Sequence, residues 1–339
     1  MRRLLGATLV ACILGAIPES PSRAAPPPLF DPPLACLANN ACFIQKYFDH
    51  DSGPGFQDFQ CGPLSGDGHK GTDFRLAKFE DMEKGAPVSA SADGIVVATR
   101  NNMPDVPVAL VGESTVLDRG LGNTVIIDHG SGWRSTYGHL KQGSVSVAKG
   151  DLVKRGDWLG KVGLSGLTDF PHVHFQIDFK GAPVDPFTGA KSGQRLDQES
   201  CERTVTQSLW RRDAQKLLPY NPSFLLHAGF SDKQMNRPAL AFGLYARRYL
   251  PKTAKNIFFG VYFAGAIKND TYRFRLFEPS GAVFYDKSET IKKRGNVRFR
   301  YGGKRNRTLP WRQGLYRAVF DLMKGEKPVL SVERFVQFR

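Results

Sequence analysis

Three short segments of this 339-residue sequence carry the side chains best suited to chemistry. The first, DGHKGTDFRL, has His69 and Asp73 in an HxxxD arrangement. The second, STYGHL, has His139, and the third, PHVHFQIDF, has His172 and His174. Imidazoles and carboxylates are zinc ligands, and a catalytic zinc site keeps one position open for water. An imidazole off the metal can exchange protons, because its unperturbed pKa is near 6.5. The five side chains therefore predict a catalytic metal site.

The third segment has the alternation of a β-strand. One predicted face carries His172, His174, Gln176 and Asp178, and the other carries Val173, Phe175, Ile177 and Phe179. The apolar face is expected in the core, so the period of two places two imidazoles side by side on the opposite face. A strand is also expected around His139, which would share a face with Tyr137 and Trp133.

The elements around these segments read as short strands separated by glycine-containing turns, which predicts an all-β fold. Residues 61–195 are expected to form an antiparallel β domain, and residues 224–339 a smaller one. About seven short strands in the latter suggest an immunoglobulin-like sandwich. Residues 26–60 read as an irregular lead-in, and residues 196–223 as a linker with a short helix.

The order and spacing of the segments resemble the lysostaphin/LytM-type zinc metallopeptidases, which cut the peptide part of bacterial cell walls. GNTVIIDHGSGWRSTYGHL, VKRGDWLGKVGLSG and PHVHFQI carry the resemblance together with HxxxD, over roughly residues 61–187. It implies a metallopeptidase domain with one zinc ion and peptidoglycan as the substrate. Phe170 and Pro171 depart from the family, which often has glycine before the HxH segment, and Val173 replaces the usual leucine.

The resemblance also implies a role for each site residue. His69, Asp73 and His174 would bind zinc, while His139 and His172 would stay off the metal and face the scissile amide. One of these two imidazoles would take the proton of the attacking water, and the other would stabilise the oxyanion or protonate the leaving amine. The sequence leaves open which does which.

Other functions remain compatible with parts of the sequence. A catalytically silent wall-binding protein or amidase activator could use the same fold, with a site blocked by residues 26–60. A peptidase acting on glycine-rich proteins is another alternative. SADGIVVATR with KGDLVKRGDWLGKVG also resembles a biotinyl or lipoyl carrier hairpin, but no lysine is displayed at a tight turn between its halves. His50, His129 and His227 are interpreted as structural.

The N-terminus predicts export. Arg2 and Arg3, an apolar run and small residues indicate a signal peptide over residues 1–25, with cleavage near Ala24 or Ala25. Cys12 could instead mark a lipoprotein box. No later run approaches the roughly 20 apolar residues of a membrane helix, so the mature chain should have no transmembrane segment. The expected location is the periplasm or the extracellular cell envelope.

Four cysteines remain after export, and an even number in an oxidising compartment suggests two disulfides. The preferred pairing is Cys36–Cys42 as a local loop and Cys61–Cys201 as a long-range bridge. The other two connectivities stay open. A zinc site made from these cysteines is not expected, because they form no CxxC pair.

The net charge of +15 is concentrated in the C-terminal third. Residues 26–224 hold 20 Lys and Arg against 23 Asp and Glu, whereas residues 225–339 hold 24 against 8. Residues 291–307 have eight basic residues and no acid. This run is either a solvated face or a contact for an anionic envelope polymer or lipid surface. Nucleic acid is not an expected partner, since the chain is exported and carries no recognised motif.

Overall fold

The computed structural model describes residues 26–39, 41–191, 207–293, 295–307 and 310–339. The strands are β1 Cys42–Lys46, β2 Thr72–Leu76, β3 Pro87–Ser89, β4 Gly94–Arg100, β5 Asn123–Gly130, β6 Trp133–Leu140, β7 Leu152–Val153, β8 Trp158–Lys161, β9 His172–Phe179, β10 Ala182–Val184, β11 Phe224–Ser231, β12 Tyr249–Leu250, β13 Asn256–Ala264, β14 Thr271–Phe277, β15 Val283–Thr290, β16 Val297–Arg305, β17 Leu315–Lys324 and β18 Lys327–Phe338. The helices are α1 Phe79–Lys84, α2 Val108–Val111, α3 Arg212–Gln215 and α4 Arg237–Ala241, with 3-10 turns at Ala35–Asn39, Glu113–Thr115 and Leu117–Arg119. The all-β prediction is confirmed. No helix among the described residues has both the length and the apolar character needed to cross a membrane.

One antiparallel sheet organises the N-terminal part of the chain. Its strand order is β1-β2-β9-β6-β5-β4-β7, with β10 also paired to β9. The neighbours β2, β9 and β6 carry four of the five predicted site residues, and His69 lies in the turn before β2. Three adjacent strands therefore position the site.

The apolar face of β9 anchors this sheet in the core. Val173, Phe175 and Ile177 are fully buried, as the alternation predicts. Phe175 packs against the Tyr137 ring of the neighbouring strand at 5.3 Å between centroids. A strand held on one face by this packing keeps the side chains of its other face in fixed positions.

The prediction of an irregular lead-in over residues 26–60 is wrong in part. Residues 42–46 form β1, which pairs with β2 at the edge of the sheet. Phe30 is fully buried and forms a parallel bridge with Trp210, which is buried in the same core. Because proline, glycine and asparagine are frequent in the flanking segments, a strand of only five residues was interpreted as part of an irregular segment.

The structure describes only some of the residues to which the cysteine and linker predictions refer. The Cys36–Cys42 disulfide is present, with 5.4 Å between Cα atoms. Cys61 is disulfide-bonded, whereas its predicted partner, Cys201, lies outside the described residues. Within the predicted linker, the short helix is α3, and residues 192–206 also lie outside them.

Two further sheets form the C-terminal part. Their strand orders are β11-β13-β16 and β12-β18-β17-β14-β15. They share one aromatic core, in which Phe263 of β13 contacts Phe320 of β17 at 4.9 Å between ring centroids. The arrangement is that of two packed sheets, and the immunoglobulin-like assignment stays a prediction.

The C-terminal sheets contact the elements that flank the predicted site. Phe43 of β1 packs on Phe224 of β11, with 4.9 Å between ring centroids. Phe79 of α1 packs on Phe242, just after α4, at 4.8 Å. The side chain of Asn296 donates a hydrogen bond to the Ser65 carbonyl at 2.9 Å. The two parts therefore meet along β1 and the segments on either side of β2.

Candidate metal centre

Three of the predicted residues converge on one oxygen atom. Asp73 Oδ1 lies 2.9 Å from His69 Nε2 and 3.0 Å from His174 Nδ1, and the two nitrogens are 3.2 Å apart. The sheet brings them together because Asp73 of β2 is directly opposite His174 of β9. Directly opposed residues share a face. Two imidazoles and one carboxylate match the donor set of catalytic zinc sites.

Backbone contacts fix the orientation of these ligands. The Nδ1 atom of His69 is 2.8 Å from the Tyr47 carbonyl, so it carries the proton and leaves the Nε2 lone pair for a metal. Gly71 leaves space for the imidazole of His174. A Cβ atom on Gly71 would lie 2.6 Å from the Phe175 carbonyl and 2.7 Å from His174 Nε2. Glycine is therefore required by the close approach of backbone and ring.

The carboxylate of Asp73 is buried but stays ionised. Burial alone would raise its pKa, but the neighbouring imidazoles of His69, His172 and His174 hold it well below 3.8. The other oxygen, Oδ2, faces the ammonium group of Lys46 at 3.8 Å. Lys46 is directly opposite Asp73 in the β1–β2 pair. The carboxylate therefore presents one oxygen to the two imidazoles and the other to a cation.

His139 and His172 lie side by side next to the ligand cluster. Their ring centroids are 4.5 Å apart. The Nδ1 atom of His139 donates to the Ser165 carbonyl at 2.7 Å, and that of His172 lies 3.0 Å from the Phe170 carbonyl. The Nε2 atoms point away from these carbonyls, and that of His172 lies 3.5 Å from Asp73 Oδ1. Neither belongs to the group of potential ligand atoms that lie within 4.8 Å of one another, which consists of His69, Asp73 and His174.

The predicted face of His139 is wrong. Tyr137 is directly opposite Phe175, on the core face, whereas His139 contacts His172 on the other face. The cause is a left-handed backbone at His139, whose φ of 59° breaks the alternation at the end of β6. The sequence signal for this irregularity is weak, since Gly138 precedes His139 but the residue with positive φ is not glycine.

Burial lowers the pKa of two of the clustered imidazoles, His139 and His174. Desolvation lowers the pKa of His139 well below 6.5, and the neighbouring His172 and His174 act in the same direction. Burial likewise lowers the pKa of His174, although Asp73 opposes the shift. His139 is consequently neutral near pH 7, as required of an imidazole that accepts a proton.

Two of the remaining histidines, His50 and His129, have structural contacts, as expected. His50 Nε2 is 2.9 Å from Asp185 Oδ2, and both side chains are fully buried. His129 bridges the Asp93 carbonyl and the Ser135 hydroxyl at 2.6 and 2.8 Å.

Sequence reasoning missed two cations on the site face. Lys46 lies in the segment that was expected to be irregular, so no strand was predicted there and its position opposite Asp73 could not be inferred. Arg75 is directly opposite His172 in the β2–β9 pair. The period-two spacing of Asp73 and Arg75 in DFRL is the signal that could have indicated it.

Comparison with known proteins agrees with this geometry. Residues 67–186 match the sequence model of Peptidase family M23. Peptidoglycan DD-endopeptidase ShyA of Vibrio cholerae is 37% identical over 117 residues, which are 34% of this chain and 22% of ShyA. DD-carboxypeptidase/endopeptidase Mpg of Neisseria meningitidis is 31% identical over 130 residues, 38% of this chain and 24% of Mpg. The match thus spans about a quarter of the length of these curated relatives.

Among solved structures, a zinc-containing peptidase from Vibrio cholerae is 26% identical. The alignment covers 50% of this chain and 41% of that protein, with a TM-score of 0.32. The catalytic domain of lysostaphin from Staphylococcus simulans is 24% identical. That alignment covers 44% of this chain and 91% of the domain, with a TM-score of 0.29.

Proposed function

We propose, on the premise that residues 67–186 form a domain of peptidase family M23, that the protein is a zinc-dependent endopeptidase that hydrolyses peptide cross-links or stems of peptidoglycan. The observation that carries the proposal is the cluster of His69, Asp73 and His174 beside a second pair of imidazoles. A ligand cluster alone would serve a structural metal equally well. Two further imidazoles beside the cluster, each bound to a backbone carbonyl through Nδ1, favour catalysis.

His69, Asp73 and His174 would hold the zinc ion. Zinc acts as a Lewis acid on a carbonyl and lowers the pKa of a water molecule from 15.7 to about 7. Lys46 keeps the second oxygen of Asp73 turned away from the two imidazoles. The ligands are preorganised by the β2–β9 register and by the Tyr47 carbonyl.

His139 and His172 would handle the protons of the reaction. With Nδ1 bound to a backbone carbonyl, each ring can accept or donate a proton at Nε2. One accepts the proton of the attacking water, and the other donates a hydrogen bond to the oxyanion or protonates the leaving amine. General acid–base catalysis of this kind contributes about 10²- to 10⁴-fold to the rate.

Peptidoglycan is the proposed substrate because ShyA, which matches this domain, is named as a peptidoglycan DD-endopeptidase. The predicted signal peptide, residues 1–25, lies outside the described residues. Export to the periplasm or cell envelope would bring the enzyme to this substrate.

The test is mass spectrometry of muropeptides after intact sacculi are incubated with purified residues 26–339. Parallel samples contain a chelator or the His172→Ala variant. We expect loss of cross-linked species with the unmodified protein in the absence of chelator, and not in the two parallel samples. Unchanged muropeptides despite bound zinc would instead support the silent wall-binding or amidase-activating alternative. Digestion of a glycine-rich protein alongside would detect the other peptidase activity.

The basic run 291–307 is proposed to bind an anionic envelope polymer or lipid surface at one end only. Strand β16 divides the run, so that Lys292 and Lys293 lie on the order of 30 Å from Lys304 and Arg305. The second end borders a groove that also includes Arg312. Replacing Lys304 and Arg305 by glutamine should weaken cosedimentation with wall polymer more than replacing Lys292 and Lys293. Equal effects would contradict a single binding end.

A further inference from the structure

A cavity of about 200 Å³ lies between the peptidase domain and the C-terminal sheets. Its walls include Arg75, Asp169 and Phe170 from the peptidase domain, and Arg237, Pro238 and Tyr262 from the C-terminal part. The cavity thus combines residues from both sides of the contact between the two parts.

Arg75 is the buried cation of this cavity. Its side chain has 2% of its surface exposed, and one guanidinium nitrogen donates to the amide oxygen of Gln45. Burial lowers its pKa to about 10, and the charge of Arg237 acts in the same direction. Within the described part of the chain, no carboxylate lies within 4.0 Å of either guanidinium. A buried charge without a counter-ion is costly, which favours an anion from outside the chain.

Arg237 supplies a second, solvent-accessible cation. It begins helix α4, donates to the Tyr262 hydroxyl at 3.1 Å and lies over the ring of the same tyrosine. The single carboxylate of the wall, Asp169, accepts a hydrogen bond from the Ala109 amide at 2.9 Å. Two guanidinium groups and one carboxylate leave the cavity with a positive charge.

The cavity lies next to the catalytic pair. The Phe170 ring centroid is 4.6 Å from Arg75 Cζ and 4.4 Å from the His172 ring centroid. An extended peptide covers about 3.3–3.6 Å per residue. A chain that places its scissile amide beside His172 therefore reaches Arg75 within about two to three residues.

We propose that this cavity is a carboxylate-binding subsite, in which Arg75 and Arg237 hold a free carboxylate of the substrate peptide near the bond that is cut. The inference rests on the proposed endopeptidase function and specifies which peptides the site selects. Guanidinium groups bind carboxylates through paired, charge-assisted hydrogen bonds. The C-terminal part then contributes to substrate recognition directly, through Arg237 and Tyr262.

The first test measures binding without catalysis. The metal-free protein, residues 26–339, is titrated with N-acetyl-D-alanyl-D-alanine and with its C-terminal amide, and NMR follows the arginine Nε–H signals. We expect the acid to bind at least about tenfold more tightly than the amide and to shift the signals of Arg75 and Arg237. Equal binding of acid and amide, or shifts elsewhere, would overturn the proposal.

Arg237→Gln is the principal variant because Arg237 is exposed and its replacement should not disturb folding. We expect it to reduce the preference for the acid by about tenfold. Arg248→Gln is the matched control, since Arg248 is exposed, lies outside this cavity and should leave the preference unchanged. Arg75→Lys, which keeps the charge but loses the planar fork, should weaken acid binding in a folded protein.

The second test compares kcat/KM for cross-linked peptides with free and with amidated carboxylates. We expect a preference of about tenfold for the free acid, which Arg237→Gln removes. Cleavage with no preference would overturn the subsite while the enzyme proposal stands. Carboxylate-dependent binding without cleavage would overturn the enzyme proposal while the subsite stands.

Discussion

The five predicted site side chains fall into two groups by their contacts. His69 and His174 lie 2.9 and 3.0 Å from the same oxygen of Asp73. His139 and His172 instead bind backbone carbonyls through Nδ1. The roles implied by the sequence resemblance are thus compatible with the geometry, and variants can separate them.

Replacing a proposed ligand and a proposed proton carrier should give different defects. His174→Ala should lose both zinc and activity, because it removes a donor. His172→Ala should keep one zinc per chain and lose about 10²- to 10⁴-fold in kcat. Zinc content by mass spectrometry and hydrolysis rates check both. Loss of zinc in His172→Ala to the same extent as in His174→Ala would contradict the assignment.

His227 should make the stability of the protein depend on pH. Burial, with a contribution from the charge of Arg75, lowers its pKa from 6.5 to about 4. The unfolded chain therefore binds a proton more readily, so stability is fully present above pH 6.5 and is lost as the pH falls towards 4. The loss is up to about 3 kcal/mol at about 1.36 kcal/mol per pKa unit. Urea unfolding at pH 7 and pH 5 should show a smaller difference for His227→Gln than for the unmodified protein, and an unchanged difference would refute this.

Much of the ligand set could be predicted at the residue scale, whereas the placement of His139 could not. Residues 172–179 alternate over a whole strand, so their faces follow from spacing alone. His139 lies at the end of β6, where one residue with positive φ reverses the side on which the imidazole lies. A backbone irregularity of this kind has no reliable signal when the residue is not glycine.

Strand β1 is an element that the sequence pattern did not predict. Strands β9 and β6 are visible as patterns, but β1 has only five residues between segments rich in turn-forming residues. It nevertheless brings Lys46 to the site and Phe43 to the C-terminal sheets. Residues outside the family match therefore contribute to the site and to the contact between the two parts.

The packing of the N-terminal segment can be tested at Phe30. Its ring is fully buried and contacts those of His129 and Phe175. Phe30→Ala should destabilise the protein by about 3–5 kcal/mol, because it removes a large side chain from a packed core. Leu29→Ala is the control, since Leu29 is 47% exposed and should change stability by less than about 0.5 kcal/mol. Equal denaturant midpoints for the two variants would show that the segment is not part of the core.

The turn before β2 should control metal affinity through Gly71. A Cβ there would meet the Phe175 carbonyl and the His174 ring, so Gly71→Ala should displace this ligand and lower zinc affinity by about 10- to 100-fold. Gly66→Ala is the control, because the nearest atom to its Cβ would be Lys46 Nζ at 4.0 Å. Competition with a chromophoric chelator measures both. Equal affinities would contradict the steric argument.

The whole molecule joins a peptidase domain to a basic second part through a contact beside the site. The charge asymmetry between the two parts is evident from the sequence, but their mutual arrangement is not, because it depends on aromatic contacts between residues far apart in the chain. The structure thereby places the basic part next to the candidate metal site.

Hydrolysis of cross-linked sacculi in water enriched in ¹⁸O tests the proposed peptidase activity directly. The zinc-loaded protein, residues 26–339, is incubated with the sacculi, and the released peptides are analysed by mass spectrometry. We expect new carboxyl ends that carry ¹⁸O, and about 10²- to 10⁴-fold fewer of them with a zinc-bound His172→Ala variant. A folded, zinc-loaded protein that leaves every cross-link and stem peptide intact would contradict the proposal.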